Sequence, residues 1–334
     1  MFRFLSSKHL GRGNAPPPPP PESASDLIVT HIRKNFKNQK LKKIVNVFQM
    51  MYINEKSQGI GDFFRGSIYL TYLCKLLNIT FDINLSNHPV SAHFINQETE
   101  DATINYNNIY AHIDYMSQRD DFIIDFINKL NACDEEIAYL YCNYDAIFDI
   151  ENPKHGVIHH ARNIIIPKIE PKEYVLNLMD EKLSSINLQR KQYNVIHLRC
   201  GDHFMIMKDA VDCENKKRIS AKHANDIIND IRTNSNKNVK YILIGDSSSM
   251  KKIVSKEFNN VFSFNTKIIH LGEKCNLNNY DEKSIIETLI DFSIIRYSNH
   301  TTSYSAYGHG SGFSKQCAHI YGIPFKQILL KPTI

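Results

Sequence analysis

The alternation of short apolar runs with amphipathic segments between residues 193 and 330 is the feature that most constrains the fold. Apolar runs of this length are typical of buried strands, and the amphipathic segments have the apolar spacing of helices. The predicted strands are 193–198, 241–244, 261–264 and 325–330, and the predicted helices are 220–233, 247–257, 282–297 and 312–321. This order predicts a parallel sheet that is covered by helices on both faces.

The first half of the chain carries a related pattern. Its predicted elements are a strand at 44–53, a helix at 62–77, a strand at 80–85, a helix at 120–130 and a strand at 137–142. A chain of 334 residues exceeds the usual size of one domain. We therefore predict an α/β protein with one domain at 40–170 and a second at 171–334, joined near the proline-bearing segment 167–172.

Residues 1–39 are predicted to form a flexible tail ahead of these domains. The run of six prolines at 16–21 favours polyproline II structure and cannot form a core. A spacer is the more common role of such a segment, and docking to a proline-binding groove is the alternative.

Charge and hydropathy narrow the classes of function. The chain has 40 Lys and Arg residues against 35 Asp and Glu, and the basic residues are scattered, whereas a nucleic-acid binder gathers them into a stripe. A local basic pocket for an anionic small molecule stays possible. No apolar run approaches the roughly 20 residues that span a bilayer, and the first ten residues are too polar for a signal peptide. We expect a soluble, cytoplasmic protein without a membrane span.

No metal site is predicted. The seven cysteines are irregularly spaced and include no C-x-x-C pair, so neither a zinc site nor a disulfide framework is indicated. The nearest approach to a metal-holding D-x-D pair is Asp149 and Glu151, which lacks the expected context.

The most informative motif follows the predicted strand 193–198, because ligands of parallel sheets bind outside the carboxyl ends of the strands. An arginine at this position, Arg199, can bind a diphosphate through two nitrogens and neutralise the charge of a departing phosphate. The alternative is a structural arginine that pairs with Asp202 across the glycine turn, and such ion pairs are common.

Glycines precede two predicted helices. Gly59 and Gly61 come before the helix at 62–77, and Ser311 and Gly312 open the helix at 312–321. Glycines and small hydroxyl residues at a helix start allow backbone N–H groups to approach an anion. An ordinary tight turn is the alternative for the first pair.

Two acidic residues have candidate roles. Asp246 follows the strand 241–244 and a glycine, where we favour the role of N-cap for the next helix. Asp291 can accept two hydrogen bonds from the N–H edge of guanine, and a solvated acid on a helix surface is the alternative.

The order of these motifs resembles that of the fucosyltransferase superfamily, which includes the α-1,2-, α-1,6- and protein O-fucosyltransferases. The resemblance spans roughly residues 45–324, and its most specific element is the H-x-R-x-G-D sequence. The matching segments are the glycine motif at 59–66, the H-x-R-x-G-D motif at 197–202, the second motif at 242–247, and Asp291 followed by the Ser/Phe-bearing loop at 310–314.

The resemblance implies a GT-B-like fold, in which two Rossmann-type domains face each other across a cleft. It further implies inverting, metal-independent transfer of fucose from GDP-fucose, or of another sugar from a GDP-sugar, to a glycan or glycoprotein acceptor, with no cofactor beyond the donor. Arg199 would hold the diphosphate, His197 would contact the nucleoside, and Asp291 would bind guanine. The implied donor-binding residues are Gly59, Gly61, Asp62, His197, Arg199, Asp246, Asp291, Ser311, Gly312 and Phe313.

Three departures from the family pattern leave the donor sugar and the linkage open. Cys200 stands where α-1,2 enzymes commonly have a second arginine, Asp62 stands where many members have asparagine, and 304–309 has the character of an insertion. The candidates for the catalytic base are Asp202, Asp209 and Asp212. Two other functions stay open: a glycosyltransferase that uses another nucleotide sugar, and a non-catalytic protein that binds a sugar nucleotide or a glycan.

Overall fold

The structure is a computed structural model, and it describes residues 24–48, 59–95, 111–113, 119–143, 157–200, 221–264, 266, 271, 281–307 and 310–330. This part of the chain contains two sheets in which all neighbouring strands are parallel. The first sheet has the order β2-β1-β4-β3 and consists of β1 (Lys43–Val47), β2 (Thr80–Asn84), β3 (Ala111–Ile113) and β4 (Ile137–Cys142). The second has the order β7-β6-β5-β8-β9 and consists of β5 (Tyr193–Arg199), β6 (Lys240–Gly245), β7 (Val261–Ser263), β8 (Thr301–Ser305) and β9 (Phe325–Leu329). The predicted α/β class with two parallel sheets is confirmed.

Helices connect and cover the strands of both sheets. The described helices are α1 (Ala24–Asn35), α2 (Ile60–Leu77), α3 (Arg119–Ala132), α4 (Val157–Lys168), α5 (Glu173–Ser184), α6 (Ala221–Asn234), α7 (Ser248–Ser255), α8 (Glu282–Arg296) and α9 (Gly312–Tyr321), with a short 3-10 helix at Pro89–His93. Within the described ranges, no helix is both long and apolar enough to cross a membrane. The predicted domain boundary at 170/171 falls between α4 and α5.

Burial explains why the strands form where they do. In β5 the side chains of Val195, Ile196 and Leu198 are all buried, although neighbouring side chains point to opposite faces of the sheet. A strand can bury consecutive apolar residues only when both faces of its sheet are covered, which is the rule in parallel α/β sheets. This position at the centre of the sheet brings Arg199, the last residue of β5, to the edge where ligands bind.

The two sheets share one apolar core, which is formed where α2 packs against α9. An aromatic series crosses this contact, because the ring of Phe292 lies 5.7 Å from Phe64 on one side and 5.7 Å from Phe313 on the other. The helices approach so closely that a Cβ atom added to Gly61 would lie 2.4 Å from the carbonyl carbon of Gly312. Glycine is therefore required at residue 61 for packing.

One prediction about the fold is wrong, and one strand was not predicted. The tail predicted at 1–39 is too long, because α1 begins at Ala24 and its residue Ile32 is fully buried in the core. The strand that was not predicted is β8, whose last three residues are Ser303, Tyr304 and Ser305. This segment is buried because β8 lies between β5 and β9.

Candidate functional site

The ends of β5, β6 and β8 bring polar residues to one edge of the second sheet. Leu198 pairs with Gly245 of β6, and Arg199 pairs with Ser305 of β8. Asp246 follows β6 directly and therefore lies beside Arg199. The sheet thus assembles an arginine and an acid from two segments that lie 47 residues apart in the sequence.

Asp246 holds Arg199 in place. Its Oδ2 atom accepts a hydrogen bond of 2.8 Å from Nη1 of Arg199, and its Oδ1 atom accepts one of 2.7 Å from the backbone N–H of Cys200. The guanidinium also lies over the ring of Tyr307, with 5.3 Å between its carbon atom and the ring centroid. Both carboxylate oxygens of Asp246 therefore serve to fix the residues at the end of β5.

The prediction that Asp246 caps the next helix is wrong. Ser247 is the N-cap of α7, because its Oγ atom accepts a hydrogen bond of 3.2 Å from the backbone N–H of Met250. The oxygens of Asp246 are directed instead toward β5, where the arginine offers a charged partner. The alternative pairing of Arg199 with Asp202 involves a residue that lies outside the described residues.

The start of α9 has the features of an anion site. Backbone N–H groups in the first turn of a helix have no partner within that helix, and the helix dipole favours negative charge there. The Oγ atom of Ser311, the N-cap residue, is buried and has no hydrogen-bond partner among the described residues. Its backbone N–H donates to Oε1 of Gln327 over 3.1 Å, which fixes the loop before the helix.

The start of α2 lies against the start of α9. Gly59 accepts the first backbone hydrogen bonds of α2, from Asp62 over 2.9 Å and from Phe63 over 3.0 Å. Oδ1 of Asp62 lies 3.2 Å from the position that a Cβ atom on Gly312 would occupy, so this carboxylate borders the anion site. Arg65, one turn further along α2, pairs with Asp62 over 3.1 Å and donates from Nε to the carbonyl of Asn143 over 2.8 Å.

His197 lies inside the second sheet. Its side chain is buried, and Nδ1 lies 2.9 Å from Oγ of Ser314 and 3.4 Å from Oγ of Ser303. Burial, together with the positive charges of Arg199 and Lys251, lowers the pKa of His197 to about 3. The imidazole is therefore neutral at pH 7, and among the described residues it links β5 to β8 and α9.

Asp291 is buried in α8 with only 3% of its surface exposed, so the alternative of a solvated surface acid is wrong. Burial raises the pKa of Asp291 to about 7; the nearby Glu287 adds to the rise, and Lys251 and Lys182 oppose it. No described residue forms a hydrogen bond with its carboxylate. An acid in this state gains from any ligand that brings N–H donors to it.

Solved fucosyltransferases are similar to this chain, although no protein-family model and no curated protein match it. NodZ α-1,6-fucosyltransferase from Bradyrhizobium, soaked with GDP-fucose, is 14% identical, with a TM-score of 0.46 over 84% of this chain and 92% of its own. POFUT1 in complex with GDP-fucose is 8% identical, with a TM-score of 0.46 over 89% and 100%. A variant of FUT1 from Arabidopsis thaliana in complex with GDP is 9% identical, with a TM-score of 0.48 over 92% and 75%. The similarity covers most of the chain.

The predicted residues fall into three groups in the structure. Arg199 and Asp246 meet at the end of β5, and Ser311, Gly312 and Phe313 meet Gly61 and Asp62 at the starts of α9 and α2. His197 and Asp291 form the third group, whose side chains are buried. The candidate bases Asp202, Asp209 and Asp212 lie outside the described residues.

Two residues of this region were not predicted. Arg65 had a detectable signal, because it lies three residues after Asp62 on a predicted helix, where opposite charges face each other. Lys251 had no such signal in the sequence, because its buried position depends on the tertiary structure. Its ammonium group is buried and donates to the carbonyl of Phe264 over 3.2 Å and to Oγ1 of Thr266 over 3.1 Å.

Proposed function

We propose that this protein is an inverting fucosyltransferase that transfers fucose from GDP-fucose to a hydroxyl group of a glycan or glycoprotein acceptor, without a metal ion. The observation that carries the proposal is Arg199, a guanidinium fixed by the buried Asp246 at the carboxyl end of the central strand. The order of the four sequence motifs supports the proposal as well.

Arg199 would act on the leaving group. As the acceptor oxygen bonds to the anomeric carbon of fucose, the bond between that carbon and the diphosphate breaks, and negative charge develops on GDP. A guanidinium presents five N–H donors, and Nη1 of Arg199 donates to Asp246. Because Asp246 fixes its orientation before the donor binds, little reorganisation is needed when the charge appears.

The start of α9 would hold the diphosphate from a second side. The N–H groups of its first turn and the buried hydroxyl of Ser311 offer hydrogen bonds to phosphate oxygens. Asp202, with Asp209 and Asp212 as the other candidates, would accept the proton that the acceptor hydroxyl loses.

Asp291 would select the base of the nucleotide. A carboxylate that faces N1–H and N2–H₂ of guanine accepts two charge-assisted hydrogen bonds. Adenine and uracil lack this pair of donors and would leave the buried acid unpaired, which costs roughly 1–3 kcal/mol. We expect ADP and UDP to bind at least about tenfold more weakly than GDP, since about 1.4 kcal/mol corresponds to a factor of ten.

The test of the reaction measures GDP released from GDP-fucose in excess EDTA, with and without acceptor glycans. Arg199→Ala should lower kcat by about 10² to 10³. Arg199→Lys should restore little of the lost kcat, because an ammonium group cannot bind the phosphate oxygens in a bidentate manner. Arg190→Ala is the control, because Arg190 also pairs with an aspartate, Asp180 of α5, over 2.6 Å, but this pair is more exposed and contains none of the proposed site residues. Turnover of Arg199→Ala near that of the native protein, or loss of activity in EDTA, would contradict the proposal.

Calorimetric titration with GDP, ADP and UDP tests the choice of nucleotide. The native protein should prefer GDP, and Asp291→Asn should narrow the preference, because an amide offers one acceptor and places a donor against a donor. Equal affinity for UDP and GDP would overturn the assignment of the donor. A preference for GDP that survives in Asp291→Asn would remove only the role of Asp291.

A further inference from the structure

A polar groove of about 270 Å³ lies at the edge of the second sheet opposite Arg199. It is enclosed by the C-terminal half of α6 and the amino ends of four strands. The strand residues that line it are Asn194 and Ile196 of β5, Tyr241 of β6, Thr302 and Tyr304 of β8, and Lys326 of β9. At about 3.3 Å per residue, Asn194 lies about 16 Å from Arg199 along β5. The groove is therefore separate from the site described above.

Asn194 is an unusual residue for its position in the sheet. Asparagine is depleted in strands, yet Asn194 lies in the central strand of the sheet, just before the buried run of Val195 and Ile196. Its side chain is half-buried and forms no hydrogen bond with any described residue. Its amide is therefore available to a ligand in the groove, as both a donor and an acceptor.

The walls of the groove are fixed by hydrogen bonds. Asp230 of α6 accepts from the hydroxyl of Tyr304 over 2.6 Å and from Nδ2 of Asn234 over 2.8 Å. Oγ1 of Thr302 lies 3.4 Å from Nδ1 of His300. Burial and the nearby charge of Lys326 lower the pKa of His300, so its imidazole is neutral at pH 7. The groove thus exists before any ligand binds.

The chemistry of the lining indicates a neutral, polyhydroxylated ligand. Asp230 on one wall and Lys326 at the rim carry opposite charges, so the groove does not favour an anion such as a phosphate. Hydroxyl, amide and imidazole groups offer both donors and acceptors, which hydroxyl groups of a ligand can match. The floor, formed by Ile196 and Tyr304, is apolar and suits the C–H face of a ring. The volume lies just below the roughly 300 Å³ at which pockets for drug-sized ligands begin.

We propose that this groove binds one neutral pyranose ring, either as a free monosaccharide or as the terminal residue of a glycan. The proposal does not depend on the assignment of the donor site, because it rests on different residues at the opposite edge of the sheet.

The test is saturation-transfer NMR with millimolar neutral hexoses and 6-deoxyhexoses, their methyl glycosides, and the corresponding sugar 6-phosphates. At least one neutral sugar should bind, and its 6-phosphate should bind more weakly. Equal binding of sugar and methyl glycoside indicates recognition of the ring alone, whereas a preference for the glycoside indicates the end of a glycan. No binding of any neutral sugar, or stronger binding of the phosphates, would overturn the proposal.

Variants assign the signal to the groove. The double variant Asn194→Val with Thr302→Val removes two polar groups and keeps residues that favour strands, so we expect it to fold. It should weaken binding at least tenfold. Thr233→Val, the same change on the exposed face of α6, is the matched control and should leave binding unchanged. Binding that persists in a folded double variant, as judged by its thermal midpoint, would refute the groove as the site.

Discussion

Replacing Asp246 by asparagine tests whether this residue positions Arg199. The side chain of Asp246 is 1% exposed and that of Arg199 is 15% exposed, so the pair is held away from water. An asparagine can accept from Arg199 or from the N–H of Cys200, but its amide nitrogen then faces the other donor. Removing one partner of a buried pair costs about 3–5 kcal/mol, and we expect about 3 kcal/mol because the arginine retains some contact with solvent.

The free energy of unfolding is measured by urea titration with circular dichroism, because the chain contains no tryptophan. Asp180→Asn is the control. It breaks the pair between Asp180 and Arg190, whose side chains are 42% and 35% exposed, and should cost less than about 1 kcal/mol. Turnover of GDP-fucose by folded Asp246→Asn should fall by about 10², as expected for a misplaced catalytic group. Equal stability losses in the two variants, or native turnover in Asp246→Asn, would refute the positioning role.

Two further predictions concern the interior. Gly61→Ala should destabilise the protein by about 1–3 kcal/mol and weaken GDP binding, because the new Cβ atom would lie 2.4 Å from the backbone of Gly312 and Phe313. A variant with native stability and native GDP affinity would contradict the close packing of α2 and α9. Burial raises the pKa of Asp291 to about 7, whereas an unfolded aspartate titrates near 3.9, so this side chain holds one more proton in the folded protein between about pH 4 and 7. The contribution of Asp291 to the free energy of unfolding therefore falls as the pH rises through this window. Asp291→Asn should remove that fall in urea titrations at several pH values, and parallel pH profiles of the two proteins would show that Asp291 is not responsible.

The sequence predicted those elements whose local pattern agrees with their place in the fold. The strand predicted at 137–142 is β4, and the helix predicted at 312–321 is α9. The helix α5 was not predicted, although Val175, Met179 and Leu183 repeat every four residues and are all buried. This spacing is the signal of an amphipathic helix in the sequence.

Other features could not be predicted, because they arise only from tertiary contacts. β8 has the sequence Thr-Thr-Ser-Tyr-Ser, which contains no aliphatic residue, and pairing with β5 and β9 makes it a buried strand. The role of Asp246 depends on β6 lying beside β5, because a glycine, an acid and a serine in sequence suit a helix cap equally well. The candidate site was therefore predicted as a set of residues, but their contacts with one another were not.

The packing of α2 against α9 has a consequence for the newly made chain. Between Leu77, where α2 ends, and Gly312, where α9 begins, the ribosome adds 235 residues (312 − 77). At roughly 5–20 residues per second, this takes about 12–47 s. Throughout that interval the face of α2 that α9 later covers is open to other nascent chains, so this helix is where we expect chaperones to act. When α9 packs against α2 and Gly312 comes into contact with Gly61, this face is covered. The period in which the chain is most prone to aggregate then ends.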